Sequence, residues 1–233
     1  MKGSFLMGVL LLAQVATAQK IIDISKTEGS AHVLLMSVGG EPVLSAKVVN
    51  TVGGTPYFRN EWMNTSLLLP SGEQYTNVPT RLDLMRNQLY YLDGKKNEFV
   101  AQSLIREIAF KEESGPYYRF VHSRYIEAPD LKEGWYQLLA EGPATLYKYY
   151  SKTLLSQKPY GSATEEQVIQ TKEKYLVVYQ GQVYELKKLK DAPDVLPGKK
   201  EALKTFVSGK ELEGLSTEGK YIALVRYYNT LLP

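Results

Sequence analysis

The sequence predicts a mainly β protein: an antiparallel meander forming a curved sheet, open barrel or sandwich, followed by a small C-terminal two-helix element. Three observations carry this expectation. Residues 61–101 alternate apolar and polar side chains in short runs separated by turn residues, the period of a half-buried strand. Tyrosine is abundant, with 18 against 6 phenylalanines, and its apolar ring with a polar tip suits a sheet that has one wet face. Near residue 195 the apolar period switches from 2 to 3.6, the helical repeat.

The central stretch sets the register. Residues 62–69 form a predicted strand ended by the turn Pro70-Ser71-Gly72-Glu73. Residues 76–84 alternate, with Val78, Leu82 and Leu84 on one face and Asn77, Arg81 and Asp83 on the other. Residues 88–92 make the next strand. Asp93-Gly94 is expected to close a two-residue hairpin onto residues 98–101, a turn that needs positive φ at both central positions.

Upstream, residues 1–18 read as a secretory signal peptide. Lys2 supplies the positive start, residues 5–13 the apolar run, and Ala16-Thr17-Ala18 the small-x-small cleavage site. Cleavage after Ala18 leaves a chain that starts at Gln19. The apolar run is too short to span a bilayer well, and no later segment is apolar enough to do so. Residues 33–38 and 43–49 are expected as strands or extended loop around Gly39-Gly40-Glu41-Pro42. Gly53-Gly54-Thr55-Pro56 then leads through Tyr57-Phe58 into the meander.

Downstream, residues 105–110, 117–122, 135–140 and 144–150 are predicted strands. Turns fall at residues 112–116, at Pro129-Asp130 and at Glu141-Gly142-Pro143. In residues 144–150, Thr145, Tyr147 and Tyr149 share one face, and Leu146, Lys148 and Tyr150 the other. Residues 156–174 are polar, carry Pro159 and Gly161 and lack period-2 patterning. They predict a long loop with a helical turn near residues 165–169. Residues 175–179 and 183–186 form a hairpin around Gln180-Gly181.

Pro193 and Pro197 then punctuate a linker. Ala202, Leu203, Phe206 and Val207 follow helical spacing, with Gly209 as the expected C-terminal cap. Ser216 or Thr217 caps a second helix, with Glu218 in its first turn, where a carboxylate complements the dipole. Tyr221, Leu224, Val225 and Tyr228 form its apolar stripe. The expected organisation is a signal peptide (1–18), a β-rich domain (19–190) and a helical element (191–233).

Three pieces of the chain resemble an uncharacterised family of secreted or envelope proteins from Bacteroidetes-type bacteria. They are Gly54-Thr55-Pro56-Tyr57 leading to Glu61-Trp62, Tyr75 to Asp83 leading to Asn87-Gln88-Leu89, and the tail from Tyr221 to Asn229. Together they cover about half of the chain. The resemblance implies an exported protein without an established activity and carries no catalytic residues.

Composition narrows the function classes. A hydrophobic fraction of 44% and a charged fraction of 23% are those of a folded chain. The net charge is +3, from 28 basic and 25 acidic residues. That is too balanced for nucleic acid as the main partner. Cysteine is absent, which excludes disulfides, thiolate zinc sites, iron–sulfur centres and a cysteine nucleophile. His32 and His122 are the two histidines. There is no Gly-x-Ser-x-Gly elbow, His-Glu-x-x-His pair, P-loop or Gly-x-Gly-x-x-Gly. No cofactor is expected. Asn64-Thr65-Ser66 matches a glycosylation sequon and is read as chance.

Acids such as Glu61, Asp83, Glu98 and Glu141 are available for a two-carboxylate glycosidase, although several acids lie in turns where Asp and Glu are usual. Arg81 and Asp83, two residues apart on one strand face, are expected to pair on a wet surface, a contact of about 0–1 kcal/mol. The aromatic residues Trp62, Tyr90, Tyr91, Trp135, Tyr147 and Tyr149, together with Arg81, are the candidate ligand or partner surface. Single aromatics of this kind more often pack a core or a cross-strand neighbour.

The expected function is that of an exported, non-catalytic protein with an interaction or envelope-associated role. Its expected location is periplasmic, outer-membrane-associated or extracellular, and its partner an envelope protein or a glycan. The alternatives are a carrier or sensor of a small apolar or glycan ligand in the curved sheet, and a carboxylate-dependent envelope hydrolase.

Overall fold

The computed structural model describes residues 20–26, 29–43, 51–111, 115, 117–157 and 166–233. The predicted signal peptide and, from residue 44 on, the predicted strand 43–49 lie outside the described residues, as does most of the predicted turn at 112–116.

Strand β1 (Ile21–Asp23), helix α1 (Ser30–Val38) and strands β2 (Glu41–Pro42) and β3 (Thr51–Gly53) precede the meander. Strands β4 (Met63–Leu68), β5 (Gln74–Asp83), β6 (Gln88–Leu92) and β7 (Glu98–Val100) form its first half. Strands β8 (Glu107–Lys111), β9 (Tyr117–His122), β10 (Trp135–Ala140), β11 (Ala144–Gln157), β12 (Glu166–Tyr179) and β13 (Gln182–Glu185) form the second. Helices α2 (Ala192–Val195), α3 (Lys200–Val207) and α4 (Thr217–Leu231) end the chain.

The strands make one open, curved sheet in the order β13-β12-β11-β10-β9-β8-β4-β5-β6-β7-β2. Two meanders are joined because β8 returns to pair with β4 rather than with β7. The pairing is antiparallel along this path, while β1 adds to β5 and β3 to β12 as short parallel pieces.

Directly paired residues share a face of a sheet. One row of such pairs runs Tyr75, Leu67, Ile108, Phe120, Gln137, Lys148, Tyr175, across β5, β4, β8, β9, β10, β11 and β12. We call the face carrying this row the inner face. Its first four residues belong to one core, capped by Leu34 and Val38 of α1. Tyr175 belongs to a second core, which packs under Leu203 of α3 and Tyr221, Leu224, Val225 and Tyr228 of α4. The opposite face carries a third cluster that includes Val121, Tyr136, Tyr147, Leu176 and Val178.

The turns show where sequence signals hold. Leu69 N–H donates to the Glu73 carbonyl across the Pro70–Glu73 turn, with Gly72 at φ 87°. Gln180 and Gly181 both have positive φ, 50° and 75°, joining the pair Tyr179 and Gln182 by the two-residue turn expected there. Ser216 Oγ accepts the Gly219 N–H at 3.1 Å and caps α4.

Four local expectations are corrected. Residues 33–38 are helical, not extended. Leu34 and Val38, one turn apart, bury against the sheet while Val33 and Met36 stay exposed, a 3.6 period hidden in a short segment whose first four residues are all apolar. Residues 166–174 are strand, not loop: β11 and β12 pair in unbroken register from Ala144–Tyr179 to Gln157–Glu166. Residues 171–174 of this hairpin are all exposed, so no alternation marks them, and the ladder hydrogen bonds sustain the strand.

Asp93-Gly94 is not a two-residue turn. Asp93 N–H donates to the Asn97 carbonyl, the Asp93 carboxylate accepts from Lys95 and Asn97 N–H, and positive φ falls at Lys96. The Asp side chain organises a longer loop by bonding its own backbone. Gly209 is not a left-handed cap, since its φ is −78° and Ser208 ends α3.

Candidate functional site

The inner row turns polar where the two cores meet. Gln137 and Lys148 are paired neighbours on β10 and β11, 4% and 8% exposed. Burying such groups demands partners. Lys148 Nζ lies 2.9 Å from Glu173 Oε1 of β12 and 3.0 Å from Glu218 Oε2 of α4. It also sits over the Tyr150 and Tyr175 rings, at 4.9 and 5.7 Å. Tyr150 OH donates to Gln137 Oε1.

Burial acts to lower the Lys148 pKa, but the hydrogen bonds to Glu173 and Glu218 outweigh it and hold the ammonium above its usual value. Burial pushes Tyr150 up to about 12. At neutral pH the cation is therefore fixed and the phenol is a neutral donor.

Period 2 on β11 brings Lys148, Tyr150 and Lys152 to one face. Lys152 Nζ donates to the Thr55 carbonyl at 2.8 Å, and burial lowers its pKa. Beside these groups opens a cleft of about 330 Å³ whose lining includes Phe58, Tyr118, Gln137, Tyr150, Lys152 and Glu173. Phe58 meets Tyr118 edge-on at 5.1 Å and Tyr150 at 5.9 Å. The Arg59 guanidinium lies 5.3 Å from the Tyr118 ring and donates to its hydroxyl at 3.0 Å. Aromatic faces, a buried amide and groups of both charges thus converge, an arrangement suited to binding.

The sequence-predicted residues occupy separate places. Arg81 lies between the rings of Tyr57 and Trp62, at 4.2 and 4.6 Å, and bonds Glu98 at 3.1 Å. Tyr90 meets Tyr57 edge-on at 6.0 Å, so Trp62, Arg81 and Tyr90 form one cluster. Tyr91 faces the other way on β6. It is fully buried, stacks on Phe99 at 5.6 Å and donates its hydroxyl to the Gly39 carbonyl. Trp135 is in the first core, edge-on to His122 at 5.1 Å. Tyr147 and Tyr149 contact Tyr136 on the outer face, at 6.4 and 5.0 Å.

Arg81 and Asp83 do not pair, contrary to the sequence expectation. The chain turns sharply after β5 and folds the Met85 and Arg86 N–H groups onto Asp83 Oδ1, while Arg86 Nη1 reaches Oδ2 at 3.0 Å. Asp83 is fully buried, not on a wet face.

None of the seven predicted residues lines the Lys148 cleft. The residues that do, above all Lys152, Glu173 and Glu218, went unflagged. The available signal was Lys148 itself, a charge on the same strand face as Leu146.

Comparison with known proteins gives no relative: no family model, no curated protein and no solved structure matches the chain. Among the described residues no cluster of three or more His, Asp or Glu could hold a metal. No helix among them is long and apolar enough to cross a membrane.

Proposed function

We propose that the protein is an exported, non-catalytic carrier or sensor that holds a small glycan in the Lys148 cleft. The carrying observation is the convergence of Phe58, Tyr118 and Tyr150 rings with Gln137, Lys152 and Glu173 at the polar break of the inner row. Sugar C–H faces stack on aromatic rings, and sugar hydroxyls need donors and acceptors together. A cleft of about 330 Å³ lies at the small end of the range for ligand pockets, which favours a mono- or disaccharide.

The non-catalytic part of the reading rests on Lys148. Its ammonium sits between Glu173 and Glu218 and engages both. A glycosidase needs the gap between its two acids for the glycosidic oxygen or a water, and here that gap is filled by a side chain.

Export is supported by Lys2, the apolar run 5–13 and Ala16-Thr17-Ala18. Expression in a bacterial host with an envelope tests both parts. N-terminal sequencing should read from Gln19, and native mass spectrometry should show a bound mass in the sugar range. A mature chain starting at Met1 refutes export, and ligand-free protein from an envelope fraction rich in glycans counts against the carrier.

A further inference from the structure

Two lysines line the same cleft in different states. Lys148 Nζ is engaged by both Glu173 and Glu218, so its charge is already met within the protein. Lys152 Nζ has one hydrogen bond among the described residues, to the Thr55 backbone carbonyl at 2.8 Å, and no acid pairs with it there. An ammonium carries three donors, so two of its hydrogens remain for a ligand.

Lys152 is only partly exposed. A cation taken partly out of water without a counter-charge is unfavourable, and burial accordingly lowers its pKa. The acid whose charge reaches it is Asp83, and Asp83 is fully buried and occupied. Its oxygens accept from the Met85 and Arg86 N–H groups and from the Arg86 guanidinium. Glu173 and Glu218 are held by Lys148. The counter-charge for Lys152 is therefore open to a bound molecule.

The residue across the ladder adds a second polar group. Thr171 of β12 pairs directly with Lys152 of β11, so the two side chains share a face, and both line the cleft. The Thr171 hydroxyl has no hydrogen-bond partner among the described residues. An ammonium and a hydroxyl side by side match the two oxygens of a carboxylate.

We infer that the sugar held in this cleft is a hexuronic acid, its carboxylate on Lys152 and Thr171 and its ring against Phe58, Tyr118 and Tyr150. This inference rests on the glycan reading of the cleft and names the class of sugar. A neutral sugar leaves the Lys152 charge unmet, and an amino sugar placed the same way brings a second cation beside it.

The test is calorimetry of the full chain at constant ionic strength with two matched pairs, glucuronate against glucose and galacturonate against galactose. In at least one pair the acid should bind about tenfold more tightly than its neutral partner. Lys152→Gln, which still donates to the Thr55 carbonyl, should bring that ratio close to one, and Lys152→Arg should keep it. Thr171→Val, at an exposed strand position, should narrow the ratio without disturbing a core. Equal binding of acid and neutral sugar overturns the inference while the carrier reading stands. A preference that persists in Lys152→Gln overturns it as well. Failure of all four sugars to bind overturns it and counts against the glycan reading too.

Discussion

Lys148 of β11 and Glu218 of α4 meet at 3.0 Å across 70 positions of sequence. The contact ties the last helix to the sheet where the inner row changes from apolar to polar. Glu173 completes the arrangement from the neighbouring strand. Lys148→Ala is expected to destabilise the fold by about 1–3 kcal/mol, the range for hydrogen bonds to charged groups. Lys148→Met should recover part of that loss, because the stem still packs and no charge is left half-buried on the lysine side. Denaturant unfolding measures the cost. Hydrogen exchange should show α4 amides opening sooner in Lys148→Ala.

A second clasp holds the other end of α4. Asn229 Oδ1 accepts the Ala144 N–H and Asn229 Nδ2 donates to the Ala144 carbonyl, both at 2.8 Å. Asn229→Ala removes both bonds and should cost about 1–3 kcal/mol. Asn229→Asp keeps the acceptor and loses the donor, so it should fall between. Gly142→Ala should disturb the same clasp, since a Cβ there would come within 2.3 Å of Asn229 Nδ2. Equal stability of all three variants and wild type would remove the clasp from the account.

Much of this fold was legible. Alternation around Val78 and Leu82, the Pro70–Glu73 and Gln180-Gly181 turns, and the stripe Tyr221, Leu224, Val225, Tyr228 all read directly from side-chain period. The failures have physical causes. Helix α1 was hidden because Val33 to Met36 are all apolar and Ser37 alone interrupts the run, too little to separate the two periods. The exposed half of β12 was hidden because a strand wet on both faces has no alternation. The cleft was least legible of all. Lys152, Glu173 and Glu218 come from three elements, and only the β10–β11–β12 register and the docking of α4 bring them to Gln137 and Lys148. The aromatic set lies elsewhere: Tyr91 and Trp135 are large and conspicuous in sequence and pack in the first core, and none of the set lines the cleft.

His122 gives a pH dependence. Burial lowers its pKa, Glu133 partly opposing this and Arg124 adding to it. The unfolded chain then binds the proton more readily than the folded one. The contribution of neutral His122 is complete above its unfolded value of 6.5 and is lost as pH falls through the lower folded value. Urea midpoints measured from about pH 7.5 to about pH 5 should fall, and His122→Gln should flatten that part of the curve. An identical slope in the variant contradicts the assignment.

The Arg81 sandwich predicts a milder effect. Its guanidinium lies over Tyr57 and Trp62 and pairs with Glu98, at side-chain exposures of 20% and 31%. Arg81→Met should cost about 1 kcal/mol, the scale of a partly exposed cation–π contact with an exposed ion pair. Thermal unfolding checks it, and a loss as large as that of a core truncation would mean the cluster has a deeper structural role.

The glycan cleft is tested most directly by ligand-observed NMR of the full chain against neutral mono- and disaccharides, alongside the variants Tyr118→Ala and Lys152→Gln. The account predicts saturable transfer to at least one sugar, weakened in both variants while their folds stay intact. Absence of transfer to every sugar, or transfer unchanged in both variants, would contradict it.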